Sequence, residues 1–310
     1  MSDEERLPKN LQGLLRFAMQ YTRNEDAPHE SQWQQMDPER KKFLEDALKS
    51  MTVDVIEEFE KALEVLNKSD ASSEERVDAL QIVEDYAENI DFADNFVKIG
   101  GTGVVVDCLK SDLSEVRAAA ASLIAVMCQN NIYCQKHFLE INIIPKLVEL
   151  LSDEQSVAVK AMHALSCMVR SYEPCLAALI EIGGLECILG CLGSGEEKIM
   201  VKSAFLIGAL SKDHNAVREQ FIKLGAIERL SEYLEVPDEY CYLVETFLDA
   251  LMILTEQEDV ASEHLTGRLK DKLENIVNKT KGKPEFEETI EYSKTLLARC
   301  SSDTLDDTDR

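Results

Sequence analysis

Lysine and arginine are scarce in this chain: 33 of them stand against 59 aspartates and glutamates in 310 residues, a formal charge of −26. A surface that negative repels phosphate backbones, which argues against general nucleic-acid binding. Histidine is scarcer still. The five (His29, His137, His163, His214 and His264) fall in no HExxH, HxE or His–Cys arrangement, so no metal site is expected. There is no GxSxG elbow and no Walker lysine, and neither a catalytic residue nor a cofactor is expected. No apolar stretch approaches the roughly 18–20 residues that span a bilayer, so no membrane partner is expected. The nine cysteines form no CxxC pair. Cys128, Cys167 and Cys187 sit in apolar helical patterns, and "CILGC", Cys187 to Cys191, spans one helical turn. Reduced core thiols in a cytosolic or nuclear protein are expected rather than a disulfide framework. The opening "MSDEERLPKN" does not have the basic-then-apolar order of a signal peptide, and a soluble cytoplasmic protein is expected.

Apolar residues make up 45% of the chain, enough for a sizeable core. One glycine cluster needs an explanation. "KIGGTGVVVDCL" (98–109) sets Gly100, Gly101 and Gly103 ahead of an apolar run, which can cradle a phosphate or end a helix. Repetition decides between the two. "FVKIGGTGVVVDCL" from Phe96, "FLEINIIPKLVELL" from Phe138, "LIEIGGLECILGCL" from Leu179 and "FIKLGAIERLSEYL" from Phe221 start 41 or 42 residues apart. A longer helical pattern precedes each, at 77–89, 117–130, 159–171 and 201–213, and a fifth covers 243–256. The recurring turn reads Gly100-Gly101, Asn142-Ile143, Gly183-Gly184 and Gly225-Ala226, which suits a left-handed residue that ends a helix. Pro145 then fits a first helical position. A phosphate loop would not recur at this interval with Asn-Ile-Ile-Pro in one copy. The period predicts an all-α fold: an armadillo-repeat, right-handed superhelical solenoid with capping helices.

The array is expected to occupy 74–256, as four armadillo-like repeats and a further long helix. Capping helices are expected at 38–68 (about 38–50 and 53–67), with a C-terminal capping pair within 257–300 (262–280 and 285–300). Residues 23–37 read as a linker and 301–310 as a short acidic tail. The segment 1–22 lies outside the array and carries Leu11, Leu14, Leu15 and Met19 on one helical face. It reads either as a helix that docks on its own solenoid or as a linear binding motif.

In peptide-binding armadillo arrays a Trp and an Asn recur four residues apart on the long helix that lines the concave groove. Here the Trp positions hold Gln81, Ser122, His163 and Phe205, and the Asn positions hold Asp85, Val126, Cys167 and Ala209. The ladder that clamps extended peptides is missing, so the groove is expected to grip a folded surface. Helical spacing puts Lys160, His163, Cys167 and Arg170 on one face, and Lys202, Phe205, Ala209 and Lys212 on the next. The earlier stripes are Ala119, Ser122, Val126 and Gln129, and Asp78, Gln81, Asp85 and Glu88. The groove is therefore expected to grade from acidic to basic, complementary to one partner.

"NLQGLLRFAMQ" (10–20), "ENIDFADNF" (88–96), "LSCMVR" (165–170), "VKSAFL" (201–206) and "EYSKTLLARCSS" (291–302) resemble the heat-shock-protein-70-binding protein family. These are animal relatives of the yeast armadillo-type exchange factors. The resemblance implies a co-chaperone that is not an enzyme: a nucleotide exchange factor for the cytosolic 70-kDa heat-shock chaperone. It would hold one lobe of the chaperone's ATPase domain in the concave groove and promote release of ADP and client. It further implies that Ala93 and Lys202 face the chaperone and that the N-terminal segment is a release segment competing with clients. The other reading is a passive armadillo scaffold for another folded protein. A monomer is expected.

Overall fold

The computed structural model describes residues 54–301 except Glu258, Asp259, Ser262, Glu263 and Thr266. The expected segment with Leu11, Leu14, Leu15 and Met19, the linker, the helix at 38–50 and the tail beyond Ser301 lie outside the described residues. Helix α1 (Val55–Asn67) starts at Asp54, whose carboxylate accepts from the backbone N–H of Ile56 and Glu57. It buries Phe59, Ala62 and Leu66, one stripe at i, i+3 and i+7.

Four three-helix units follow. They are α2 (Ser73–Ala87), α3 (Ile90–Lys98) and α4 (Thr102–Cys108); α5 (Ser114–Cys128), α6 (Ile132–Glu140) and α7 (Ile144–Glu149); α8 (Gln155–Val169), α9 (Glu173–Glu181) and α10 (Gly184–Gly190); and α11 (Glu197–Asp213), α12 (Asn215–Lys223) and α13 (Ala226–Tyr233). Then come α14 (Tyr242–Leu254), α15 (Gly267–Thr280) and α16 (Glu287–Ser301). Helix α2 begins four residues before the apolar pattern that announces it, because Ser72 and Glu75 form a reciprocal capping box.

The glycine turn is a helix stop. Gly100, Asn142, Gly183 and Gly225 have φ of +83°, +57°, +73° and +80°. The N–H of Gly100 is donated to the Val97 carbonyl and that of Gly101 to Phe96, while Asn142 and Ile143 bond Leu139 and Phe138 in the same way. These are the two bonds of a Schellman cap. The N–H groups of Gly100 and Gly101 are consumed by the preceding helix and cannot cradle a phosphate.

Successive long helices pack side by side in the order α2, α5, α8, α11, α14 and α16, so one face of the solenoid is a continuous layer of them. Phe96, Phe138, Leu179 and Phe221 fill the same core position in the four units and are fully buried. Polar bonds join units along one edge of the layer. Ser73 donates to Glu115, Arg117 forks onto Asp153 at 2.6 and 2.7 Å, and Gln155 donates to Glu196. All nine cysteines are free thiols. Burial pushes the Cys134 thiol up to about 12 and those of Cys175 and Cys191 to about 11, so they are protonated. Cys187, expected in the core, is exposed, because Ile188, Leu189 and Cys191 take the inward face of that turn. No single helix among the described residues is long and apolar enough to cross a membrane.

Candidate functional site

The long-helix layer presents one stripe of outward side chains per unit, set by the i, i+3, i+7, i+10 spacing. On α2 and its C-cap, Asp78, Gln81, Asp85 and Glu88 are exposed, and Gln81 donates to Asp85 at 2.8 Å. On α5, Gln129 is exposed at the helix end, but Ser122 is only 5% exposed. Its hydroxyl donates to Glu84 Oε1 at 2.9 Å and accepts from Lys160 Nζ at 2.9 Å. Ser122 is therefore a bridge that ties three units together, not a contact surface.

On α8 and α11 the stripes converge on a cleft of about 440 Å³, lined by Gln129 and Asn130 from the end of α5, His163, Cys167 and Arg170 from α8, and Lys202 and Phe205 from α11. The Arg170 guanidinium lies over the Phe205 ring, 5.1 Å from its centroid, and Phe205 is 45% exposed. Burial, then the charges of Lys202 and Lys160, hold His163 below the usual imidazole value. Burial likewise lowers the Lys202 ammonium below an ordinary lysine; Cys167 acts against that, and Lys160 adds to it. No carboxylate of the described residues pairs with Arg170, His163 or Lys202. Some cations elsewhere do meet carboxylates, as in Lys61–Glu58, Lys110–Asp107, Lys146–Glu149 and Lys279–Asp238.

Two further sequence expectations need correcting. Ala93 does not face a partner: it is 1% exposed, because α3 turns Ala93, Phe96 and Val97 together into the core. Nor does the groove simply grade from acidic to basic. Beyond Lys212 it becomes acidic again, at Glu245 and Asp249 of α14 and Glu288 of α16. Burial, then mutual repulsion with Glu288, raises the Glu245 carboxyl above its ordinary value. Burial also raises Asp249, while Lys212 opposes the shift. The signal was present in the chain: advancing the stripe Lys202, Phe205, Ala209, Lys212 by 40 residues lands on Tyr242, Glu245, Asp249 and Met252. Glu84, one position off the expected stripe, joins the groove through Ser122.

Among the described residues no group of histidines, cysteines and carboxylates is placed to hold a metal ion. What the surface can do is bind: a basic, aromatic-centred band bounded on each side by carboxylates.

Known proteins resemble this chain at both levels. Residues 11–96 match a family model described as nucleotide exchange factor Fes1, and residues 92–178 match one described as the SIL1/FES1/HPBP1 C-terminal domain. Hsp70-binding protein 1 of Rattus norvegicus is 28% identical over 328 residues, covering 97% of this chain and 88% of its own length. The Macaca fascicularis protein of that name is 29% identical, covering 99% and 88%. The Hsp70 nucleotide exchange factor FES1 of Eremothecium gossypii is 27% identical, over 62% of this chain and 70% of its own. Among solved structures, a designed armadillo repeat protein aligns with a TM-score of 0.63 at 19% identity, covering 77% of this chain and 98% of its own. That likeness establishes an armadillo-type α solenoid.

Proposed function

Because this chain belongs to the Fes1/SIL1/HPBP1 family of Hsp70 nucleotide exchange factors, we propose that it serves a cytosolic Hsp70, holding one lobe of the chaperone's ATPase domain in the long-helix groove and promoting ADP release. The observation that carries this reading is the basic band of Lys160, His163, Arg170 and Lys202, none of them ion-paired with a carboxylate of the described residues, set between two acidic stretches on a layer of packed helices. A partner with the complementary pattern is selected in one register, and a like-charged misregister is penalised.

Exchange of this kind needs no catalytic group. A protein that binds the open-lobed chaperone better than the ADP-closed form must weaken ADP binding by the same factor. The solenoid supplies shape selectivity because bending it disturbs close packing between successive units. Leu11, Leu14, Leu15 and Met19 would act separately, as a release segment that competes with clients. Nine free thiols suit a reducing compartment.

The test is the rate at which labelled ADP leaves the Hsp70 ATPase domain. Saturating wild-type chain accelerates release. Lys202→Glu, which reverses a charge inside the basic band, removes most of the acceleration while the helical circular dichroism and melting midpoint stay unchanged. No acceleration by the wild-type chain contradicts the reading.

A further inference from the structure

The cleft between the end of α5, α8 and α11 has a chemistry of its own. In a molecule carrying 59 acidic residues, two cations and an imidazole converge on one cavity and none of them pairs with a carboxylate of the described residues. Other cations of the solenoid do meet carboxylates, as Lys61, Lys110 and Lys279 do. The central carbon of the Arg170 guanidinium moreover lies 5.1 Å from the centroid of the Phe205 ring. The guanidinium edge, which carries the N–H donors in the fork that fits a carboxylate, meets no carboxylate of the described residues. The exposed part of Phe205 offers an apolar surface beside that edge.

We propose that this cleft receives a single carboxylate side chain from the surface of the folded partner, an aspartate or glutamate with an aliphatic neighbour, with Arg170 and Lys202 binding the carboxylate, Phe205 packing against the neighbour and His163 taking up a proton as the anion enters. The identity of the partner as the Hsp70 ATPase domain rests on the exchange-factor reading; the ligand chemistry rests on the cleft. Proton uptake follows from the surroundings of His163. Its own helix turns Lys160, Cys167 and Arg170 toward this face, α11 contributes Lys202, and the α5 stripe offers the uncharged Ser122, Val126 and Gln129. Burial and two lysines keep the free imidazole neutral near pH 7. An anion arriving beside it favours the imidazolium. Affinity therefore rises as the pH falls from about 8 toward about 5.5, the range in which imidazoles titrate.

Two measurements on the full chain test this. In the first, the His163 ring resonance is followed by NMR during titration with a capped Leu-Asp-Leu tripeptide and, separately, with inorganic phosphate. The peptide is expected to shift the resonance and raise its titration midpoint by about one pH unit. The shift is lost in Arg170→Gln, and Phe205→Ser weakens the peptide response while sparing the phosphate response. No response to the peptide, or a response to phosphate alone, overturns the proposal.

In the second, calorimetry with the Hsp70 ATPase domain in buffers of different ionisation heat counts protons taken up. Kd is expected to tighten by up to about tenfold between pH 8 and pH 5.5, matching that one-unit shift, and His163→Gln abolishes both effects. Tight binding with no proton uptake and no pH dependence overturns the proposal while leaving the exchange factor intact. A positive tripeptide titration without any binding of the ATPase domain upholds the cleft and sinks the exchange-factor reading.

Discussion

Gly183 and Gly190 stand at the two ends of the same short helix and obey different rules. Gly183 has φ +73°, where a Cβ is strained whatever room surrounds it. Gly190 is helical, with nothing within 4 Å of a Cβ placed there. Gly183→Ala should cost about 1–2 kcal/mol. Gly190→Ala should instead stabilise by about 0.4–1 kcal/mol, through the lower entropy of the unfolded chain. Chemical denaturation of the two variants side by side reads both signs. The left-handed turns were legible in the sequence because one position holds Gly, Asn, Gly and Gly at a constant interval, and all four have positive φ. Asn130 is left-handed too, but nothing in the repeat marks it out. Ala93 teaches the opposite lesson. A resemblance to a family placed it toward the partner, whereas the i, i+3, i+4 grouping of Ala93, Phe96 and Val97 places it in the core. Ala93→Arg would bury an unpaired charge. A loss of at least about 3 kcal/mol follows, lowering the melting temperature by roughly 6–12 °C. A binding defect at unchanged stability would contradict the core placement.

Between neighbouring units Arg117 forks onto Asp153, which precedes α8, a two-pronged contact with side chains only 15% and 17% exposed. The hydrogen bonds from Arg117 hold the Asp153 carboxyl below the ordinary aspartate value. Because its folded value lies beneath its unfolded one, the bond stabilises the fold above about pH 4 and is lost as the pH falls through the depressed value. Arg117→Ala should cost about 1–3 kcal/mol at pH 7. Denaturation curves of wild type and variant should converge as the solution is acidified below about pH 4. A difference that persists undiminished in acid would contradict the ion-pair account. Sequence periodicity placed the long helices to within a few residues, since apolar spacing reports which face is buried. It could not report which residue 36 positions away completes a pair, because that depends on the rise and rotation from one unit to the next. The capping box at Ser72 and Glu75 was readable, and it accounts for the early start of α2.

The groove as a whole is more than the sum of its stripes. Its basic centre was legible from helical spacing on two units. Its second acidic flank was legible only by carrying the same face past the four repeats, through Glu245 and Asp249 of α14. The cleft itself depends on the end of α5 meeting the faces of α8 and α11 and has no signature along the chain. On the exchange-factor reading, a layer of long helices with acid, base and acid in order would be a template for one posture of a folded protein, and its effect on that partner's nucleotide would be fixed by thermodynamic reciprocity. The decisive measurement is the affinity of this chain for the Hsp70 ATPase domain, taken once with ADP saturating and once without nucleotide. The account predicts tighter binding without nucleotide by about 5- to 150-fold, the same factor by which the chain weakens ADP binding. Equal affinity in the two states would contradict it.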